Sequence, residues 1–157
     1  MIEATVCFLV NGSPPREILL GLKKRGFGAG KYNGLGGKVD EGETPLSAVI
    51  REVREEAGLS VSADGLRPMG AIEFRFPFRR DYDHYVHVFV ATSWDGALRE
   101  TAEMAARWFP IDRIPYDRMW ADDAHWLPLV LAGVRIEAEF SFAEDNETIE
   151  EYAIRPL

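Results

Sequence analysis

Residues 51–59, REVREEAGL, place Glu52, Glu55 and Glu56 within five positions. On a helix, residues three and four apart are neighbours, with Cβ atoms about 5–6 Å apart, so the three carboxylates share one face. Two unit charges about 6 Å apart repel by about 3 kcal/mol at an effective dielectric of roughly 20. A hard divalent cation converts that repulsion into binding. Mg²⁺ takes oxygen ligands, keeps several waters and shares its shell with substrate phosphates. A water held beside it can attack phosphorus while the cation neutralises developing charge. A Glu-rich helix also has a plainer use as a solvated face, and the three residues alone leave both uses open.

The segment that must carry them, PLSAVIREVREEA (45–57), has the marks of a helix. Thr44 suits the N-cap, Pro45 the first helical position and Gly58 the C-terminal stop. Leu46, Val49, Ile50, Val53 and Ala57 form an apolar stripe, expected to be buried, with the glutamates on its flank. Just upstream, GFGAGKYNGLGG (26–37) holds six of the chain's 14 glycines and predicts a loop in which backbone is exposed to close approach.

Around this pair of segments the chain reads mostly as strands. ATVCFLV (4–10) and EILLGLK (17–23) are separated by the turn signals of NGSPPR. Residues 67–76 and 85–94 are further strands, and 107–111 a short one. Residues 124–133 predict a short helix. Residues 135–143 and 148–155 predict a closing hairpin around EDNE. No linker, repeat or low-complexity segment interrupts the pattern. The expectation is one domain over 1–157, with a mixed sheet covered by helices in an α/β layer architecture.

Bulk properties narrow the partners. The formal net charge of −8 lacks the basic face needed by a nucleic-acid polymer or an anionic membrane. A small polyphosphate arriving with a cation remains compatible. No apolar run approaches the ~18 residues of a membrane span. The N-terminus MIEATVCFLVNG carries no basic n-region of a signal peptide. The lone Cys7 cannot form an internal disulfide and fits a reducing, cytoplasmic setting. Two motifs are decoys: GFGAG is too short for a dinucleotide fingerprint, and Gly37-Lys38 is followed by Val39, so it is no P-loop. His84 and His87 lie three apart on an expected strand, hence on opposite faces, which disfavours a shared metal.

From Gly37 the chain reads GKVDEGETPLSAVIREVREEAGL. Glu43 follows after five residues and Arg51-Glu52 after seven more. Val53, Glu55-Glu56, Gly58 and Leu59 complete the pattern. This resembles the Nudix box, the signature of hydrolases acting on nucleoside diphosphates linked to another group. The resemblance implies a Nudix fold with a mixed sheet sandwiched between helices, and Mg²⁺, with Mn²⁺ as a substitute. Glu52, Glu55 and Glu56 would bind metal, a carbonyl of Gly36 or Gly37 would reach it, and Arg51 would orient a catalytic glutamate.

A narrower resemblance runs from about Thr5 to Tyr152, to the branch of the family that hydrolyses oxidised purine nucleoside triphosphates. It is carried by LLGLKKRGFGAGKYNGLGGKVDEGET (19–44) and WFPIDRIPYDRMWADDAHWLPLVL (108–131). It implies a monomeric enzyme cleansing the nucleotide pool, with Thr5, Lys23, Phe27, Asn33, Phe74, Trp120, Asp122 and Asp123 against substrate. Glu103 would be a further acid near the metal. Each residue has another use: Lys23 as a solvated lysine, Asn33 in an Asn-Gly turn, Phe27 and Trp120 as core, Asp122-Asp123 as a helix cap, and Glu103 as a loop acid. Residues 74–89, FRFPFRRDYDHYVHVF, depart from that branch. His84 or Tyr85 falls where it has a methionine at the base pocket, which leaves base selectivity open. Two alternatives stand beside this reading: a broader nucleotide or dinucleoside-polyphosphate pyrophosphohydrolase, and a Nudix-fold sensor without turnover.

Overall fold

Apolar side chains on both faces of neighbouring strands fix the layers. In the strand β1 (Ile2–Asn11), Cys7 and Leu9 point to one side and Phe8 and Val10 to the other, and all four are buried. The computed structural model describes residues 1–157. In chain order β1 is followed by β2 (Glu17–Lys23), the two-residue β3 (Tyr32–Asn33), α1 (Pro45–Ala57), β4 (Leu66–Arg75), β5 (His84–Ala91), β6 (Met104–Pro110), α2 (Asp123–Leu131), β7 (Ile136–Phe142) and β8 (Ile149–Pro156). The sheet order is β3-β2-β1-β5-β4-β7-β8, with β6 pairing β2 on its own. The β1–β5 and β4–β7 pairs are parallel and the others antiparallel, so the sheet is mixed.

Each face of the sheet has its own core. Val49, Val53 and Ala57 of α1 pack with Cys7, Leu9, Phe89 and Ala91. Trp126, Leu127 and Val130 of α2 belong with Phe8, Val10, Val86 and Val88. Strands covered on both faces read as continuous apolar runs, as β1 and β5 do. No helix is long and apolar enough to cross a membrane.

The ends of α1 are where the sequence places them. Thr44 Oγ1 accepts from Ser47 N at 3.1 Å and Ser47 Oγ accepts from Thr44 N at 3.0 Å, a reciprocal capping box. Gly58 ends the helix in the left-handed region at φ 73°, its N–H donating to Arg54 O at 2.9 Å. The stripe needs one correction. Leu46 is 37% exposed, because no residue of the first turn, Pro45 to Ser47, reaches the core. Ile50 is only half-buried, while Ala48 joins the buried face.

Candidate active site

The glycine loop and α1 meet through the glutamates. Residues 35 and 38 bridge to Cys7 and Ala4, which lays the end of the loop along β1. A Cβ on Gly36 would stand 2.1 Å from the Thr5 carbonyl oxygen, and one on Gly37 would stand 2.6 Å from the Glu52 carboxyl carbon. Only glycine permits that approach. It lets the Gly36 N–H donate to Glu56 Oε1 at 2.8 Å. The Gly37 carbonyl accepts from Thr5 N at 2.8 Å and from Thr5 Oγ1 at 3.2 Å. The Gly36 carbonyl accepts nothing from the protein.

Arg51 organises the exposed side of this cluster. Its Nε and Nη2 donate to the two oxygens of Glu43, each at 2.8 Å. Its Nη1 donates to Glu52 at 2.9 Å and to Glu55 at 3.1 Å, and Nη2 also reaches Lys38 O at 3.1 Å. The Arg51 hydrogen bonds hold the Glu43 carboxyl down at about 2. Glu55 is exposed and turned toward Arg51, whereas Glu56 is 7% exposed. Burial, then the charges of Glu52 and Glu103, push Glu56 up to about 8 against the Gly36 N–H and Lys23. Burial raises Glu52 as well, although Arg51 opposes it. Glu103 is exposed and pairs with Arg25 at 3.4 Å.

The donors available here are all oxygens, the set a hard cation requires. The carboxylates repel one another, and the Gly36 carbonyl has no protein partner beside them. That chemistry fits Mg²⁺ or Mn²⁺. The side chains are not drawn together on one point: Glu55 is held by Arg51, Glu56 by Gly36, and no three metal-ligating side chains converge.

Glu56 and Gly36 also line a cavity of about 240 Å³. Thr5, Lys23, Phe27, Asn33, Phe74, Trp120, Asp122 and Asp123 all line it, although they come from widely separated parts of the chain. Glu52, Glu55 and Glu103 lie outside its wall. Lys23 Nζ is drawn to the Phe27 carbonyl at 2.6 Å. Asn33 lies in β3 and not in an Asn-Gly turn; its Nδ2 donates to Lys31 O at 3.1 Å, and its amide oxygen has no protein partner. Phe27 packs on Trp120 at 5.0 Å and on Tyr82 at 3.9 Å, forming an aromatic wall.

Asp122 and Asp123 do not cap α2. Asp122 has helical φ and ψ and makes no side-chain cap bond. Its Oδ2 instead accepts from Trp126 Nε1 at 2.8 Å. The two residues are 3% and 7% exposed. Burial pushes Asp122 up to about 6. Burial and the neighbouring Asp122 charge push Asp123 well up, and no basic group offsets either.

Sequence reasoning missed Phe76, Phe142, Trp126 and Met104, which also line the cavity. The alternation of FRF placed Phe76 on the side of Phe74 and was a usable signal. Phe142 had none, because its place depends on β7 lying beside β4. Of the two residues left open on β5, His84 lines the cavity, while Tyr85 hydrogen-bonds Glu137 at 3.3 Å. His87 pairs with Glu3 at 2.8 Å, away from His84 as the strand alternation predicts.

Residues 2–130 match the family model described as NUDIX domain. The oxidized purine nucleoside triphosphate hydrolase of Mus musculus is 45% identical over 146 residues, covering 91% of this chain and 89% of that protein. The protein of the same description from Danio rerio is 44% identical over 150 residues, covering 96% and 94%. The crystal structure of a MutT protein from Bacillus halodurans aligns with a TM-score of 0.83 at 25% identity, over 98% of this chain and 97% of that one.

Proposed function

The chain belongs to the NUDIX family and is a hydrolase, and we propose that its substrates are oxidised purine nucleoside triphosphates such as 8-oxo-dGTP and 2-oxo-dATP. The products are the nucleoside monophosphate and pyrophosphate. One observation carries this reading: a single cavity joins Glu56 and Gly36 to a pocket of aromatic rings and two buried aspartates. A phosphate chain fits the first end and a purine the second. The relatives from mouse and zebrafish carry the same description of activity.

Glu52, Glu55, Glu56 and the free Gly36 carbonyl would hold Mg²⁺. The bound cation would supply positive charge against the phosphate oxygens and the departing pyrophosphate. Arg51 fixes Glu52 and Glu55 through its fork of donors. A helix carboxylate takes the proton of the water that attacks phosphorus. Lys23, already turned into the cavity, places a cation beside the phosphates. At the far end Trp120 and Phe27 cover the base faces.

Asp122 and Asp123 read the base edge. Two buried neighbouring acids resist ionising together, so the pair holds one proton. The ionised acid accepts from ring and amino N–H groups, and the protonated one donates to a carbonyl. Exchanging the proton between them exchanges donor and acceptor, which admits an oxidised adenine as well as an oxidised guanine. We read the protein as a monomer acting on free nucleotides in the cytoplasm, where Cys7, buried and pushed up to about 12, stays a thiol.

The test is pyrophosphate release from 8-oxo-dGTP, 2-oxo-dATP, dGTP and dATP with Mg²⁺. The oxidised pair is expected to show the higher kcat/KM. Equal or faster turnover of dGTP and dATP contradicts the assignment and favours a broader pyrophosphohydrolase. No turnover of any nucleotide favours a sensor.

A further inference from the structure

His84 stands in the wall of the base pocket, at the start of β5. Its ring lies nearly parallel to Phe74 at 5.0 Å and to Phe76 at 5.9 Å, so its plane is set by packing. Nδ1 is 2.6 Å from the Tyr82 carbonyl oxygen. A carbonyl oxygen only accepts, so Nδ1 carries the hydrogen. In a neutral imidazole the other nitrogen, Nε2, is then an acceptor. Burial, helped by Lys23, lowers the His84 pKa and favours that neutral form, against the Tyr82 carbonyl and the Asp83 charge.

Nε2 has no hydrogen-bond partner in the protein. The one fully enclosed side-chain polar atom without a partner is Asn146 Oδ1, so Nε2 is not sealed off, and His84 lines the cavity. The site therefore offers a fixed lone pair to whatever occupies the aromatic end. Oxidation of a purine at a ring carbon changes a neighbouring ring nitrogen from a lone-pair acceptor to a lactam N–H. In 8-oxoguanine that nitrogen is N7, on a different edge from the N1–H and amino group that the aspartates read.

We infer that His84 is a specificity-determining residue whose Nε2 accepts the N7–H that oxidation creates in 8-oxoguanine. Against the unmodified base, the same lone pair meets a lone pair and gains nothing. This rests on the oxidised-purine reading and adds a residue that distinguishes damaged from intact base directly.

The experiment is the ratio of kcat/KM for 8-oxo-dGTP to that for dGTP in wild type, His84→Phe and His84→Gln. Phenylalanine keeps the stacked ring and removes the lone pair; the glutamine amide oxygen can still accept. His84→Phe is expected to lower the ratio about threefold to tenfold, the worth of one neutral hydrogen bond. His84→Gln is expected to retain more of it. A ratio has the virtue that partial unfolding affects both substrates alike. Wild type with no preference for 8-oxo-dGTP sinks the oxidised-purine assignment itself. A wild-type preference that survives unchanged in His84→Phe overturns the role of His84 alone. If neither variant folds, ¹⁵N NMR of the wild-type histidines decides. The Nε2 signal should be that of an unprotonated nitrogen and shift with 8-oxo-dGMP but not dGMP, whereas equal responses to the two overturn the inference.

Discussion

The cavity has two acidic ends, and they handle buried carboxylates differently. At the catalytic end Glu56 lines the cavity and Glu52 stands outside its wall, both on α1 and both tied to charged or polar partners: Glu52 to Arg51, Glu56 to the Gly36 amide. At the base end Asp122 and Asp123 have no cationic partner, only the Trp126 indole N–H on Asp122 and backbone N–H groups. An excess of negative charge can be relieved by a cation or by a proton. The first end has the free Gly36 carbonyl, with the half-buried Glu52 and the exposed Glu55 beside it, suited to a cation. The second is deeply buried and aromatic, suited to a proton.

Removing the charge at the catalytic end should have the largest effect. Glu56→Gln keeps the shape and is expected to lower kcat more than tenfold, over about 1.4 kcal/mol of barrier. Steady-state pyrophosphate release at saturating Mg²⁺ measures it, and a chelator should abolish wild-type turnover. Full activity in the variant at saturating Mg²⁺ would break the distinction between the ends.

The base end should reveal itself in stability. Burial pushes Asp122 up from the ordinary value near 3.8 to about 6. Between those values the folded state binds more protons, so stability falls as pH rises. Asp122→Asn keeps an acceptor for Trp126 but cannot ionise. Its denaturation free energy should lose part of that decline and gain about 1–3 kcal/mol at pH 7 relative to pH 4. Parallel stability curves for wild type and variant from pH 4 to 7 would show that Asp122 is not held protonated by burial.

The smallest effect sharpens the comparison from the helix side. Gly58→Ala places a Cβ in the left-handed region, 2.8 Å from the Arg99 side chain. It should cost about 1 kcal/mol. The denaturation midpoint reads this cost, and an unchanged midpoint would mean that the terminus of α1 tolerates the strain.

The two ends also differ in how legible they are. Arg51, Glu52, Glu55, Glu56, Gly58 and the glycines are close in sequence, and helix periodicity brings them together. Thr44, Pro45 and Gly58 announce the limits of α1 by local chemistry. The base end is tertiary. DD before AHWL is a good capping signal, and only burial beside Trp126 gives it another role. Phe142 enters the cavity through a sheet order that no local pattern encodes. β6 begins at Met104, earlier than RWFPI (107–111) implies, because pairing with β2 extends through Ala105 and Ala106, which have no strong strand preference of their own. β3 escapes notice for the same reason: Tyr32 and Asn33 are a strand only because Leu22 and Gly21 pair with them.

The division of labour between the ends is tested most directly by kcat/KM for 8-oxo-dGTP and 2-oxo-dATP in wild type, Glu56→Gln, Asp122→Asn and Asp123→Asn. Glu56→Gln should slow both nucleotides by the same factor and leave their ratio in place. Each aspartate variant fixes one acid as neutral and should move the ratio about fivefold or more, since a lost buried polar partner costs about 1–3 kcal/mol. An aspartate pair that leaves the ratio untouched, or a Glu56→Gln variant that shifts it equally, would contradict the account.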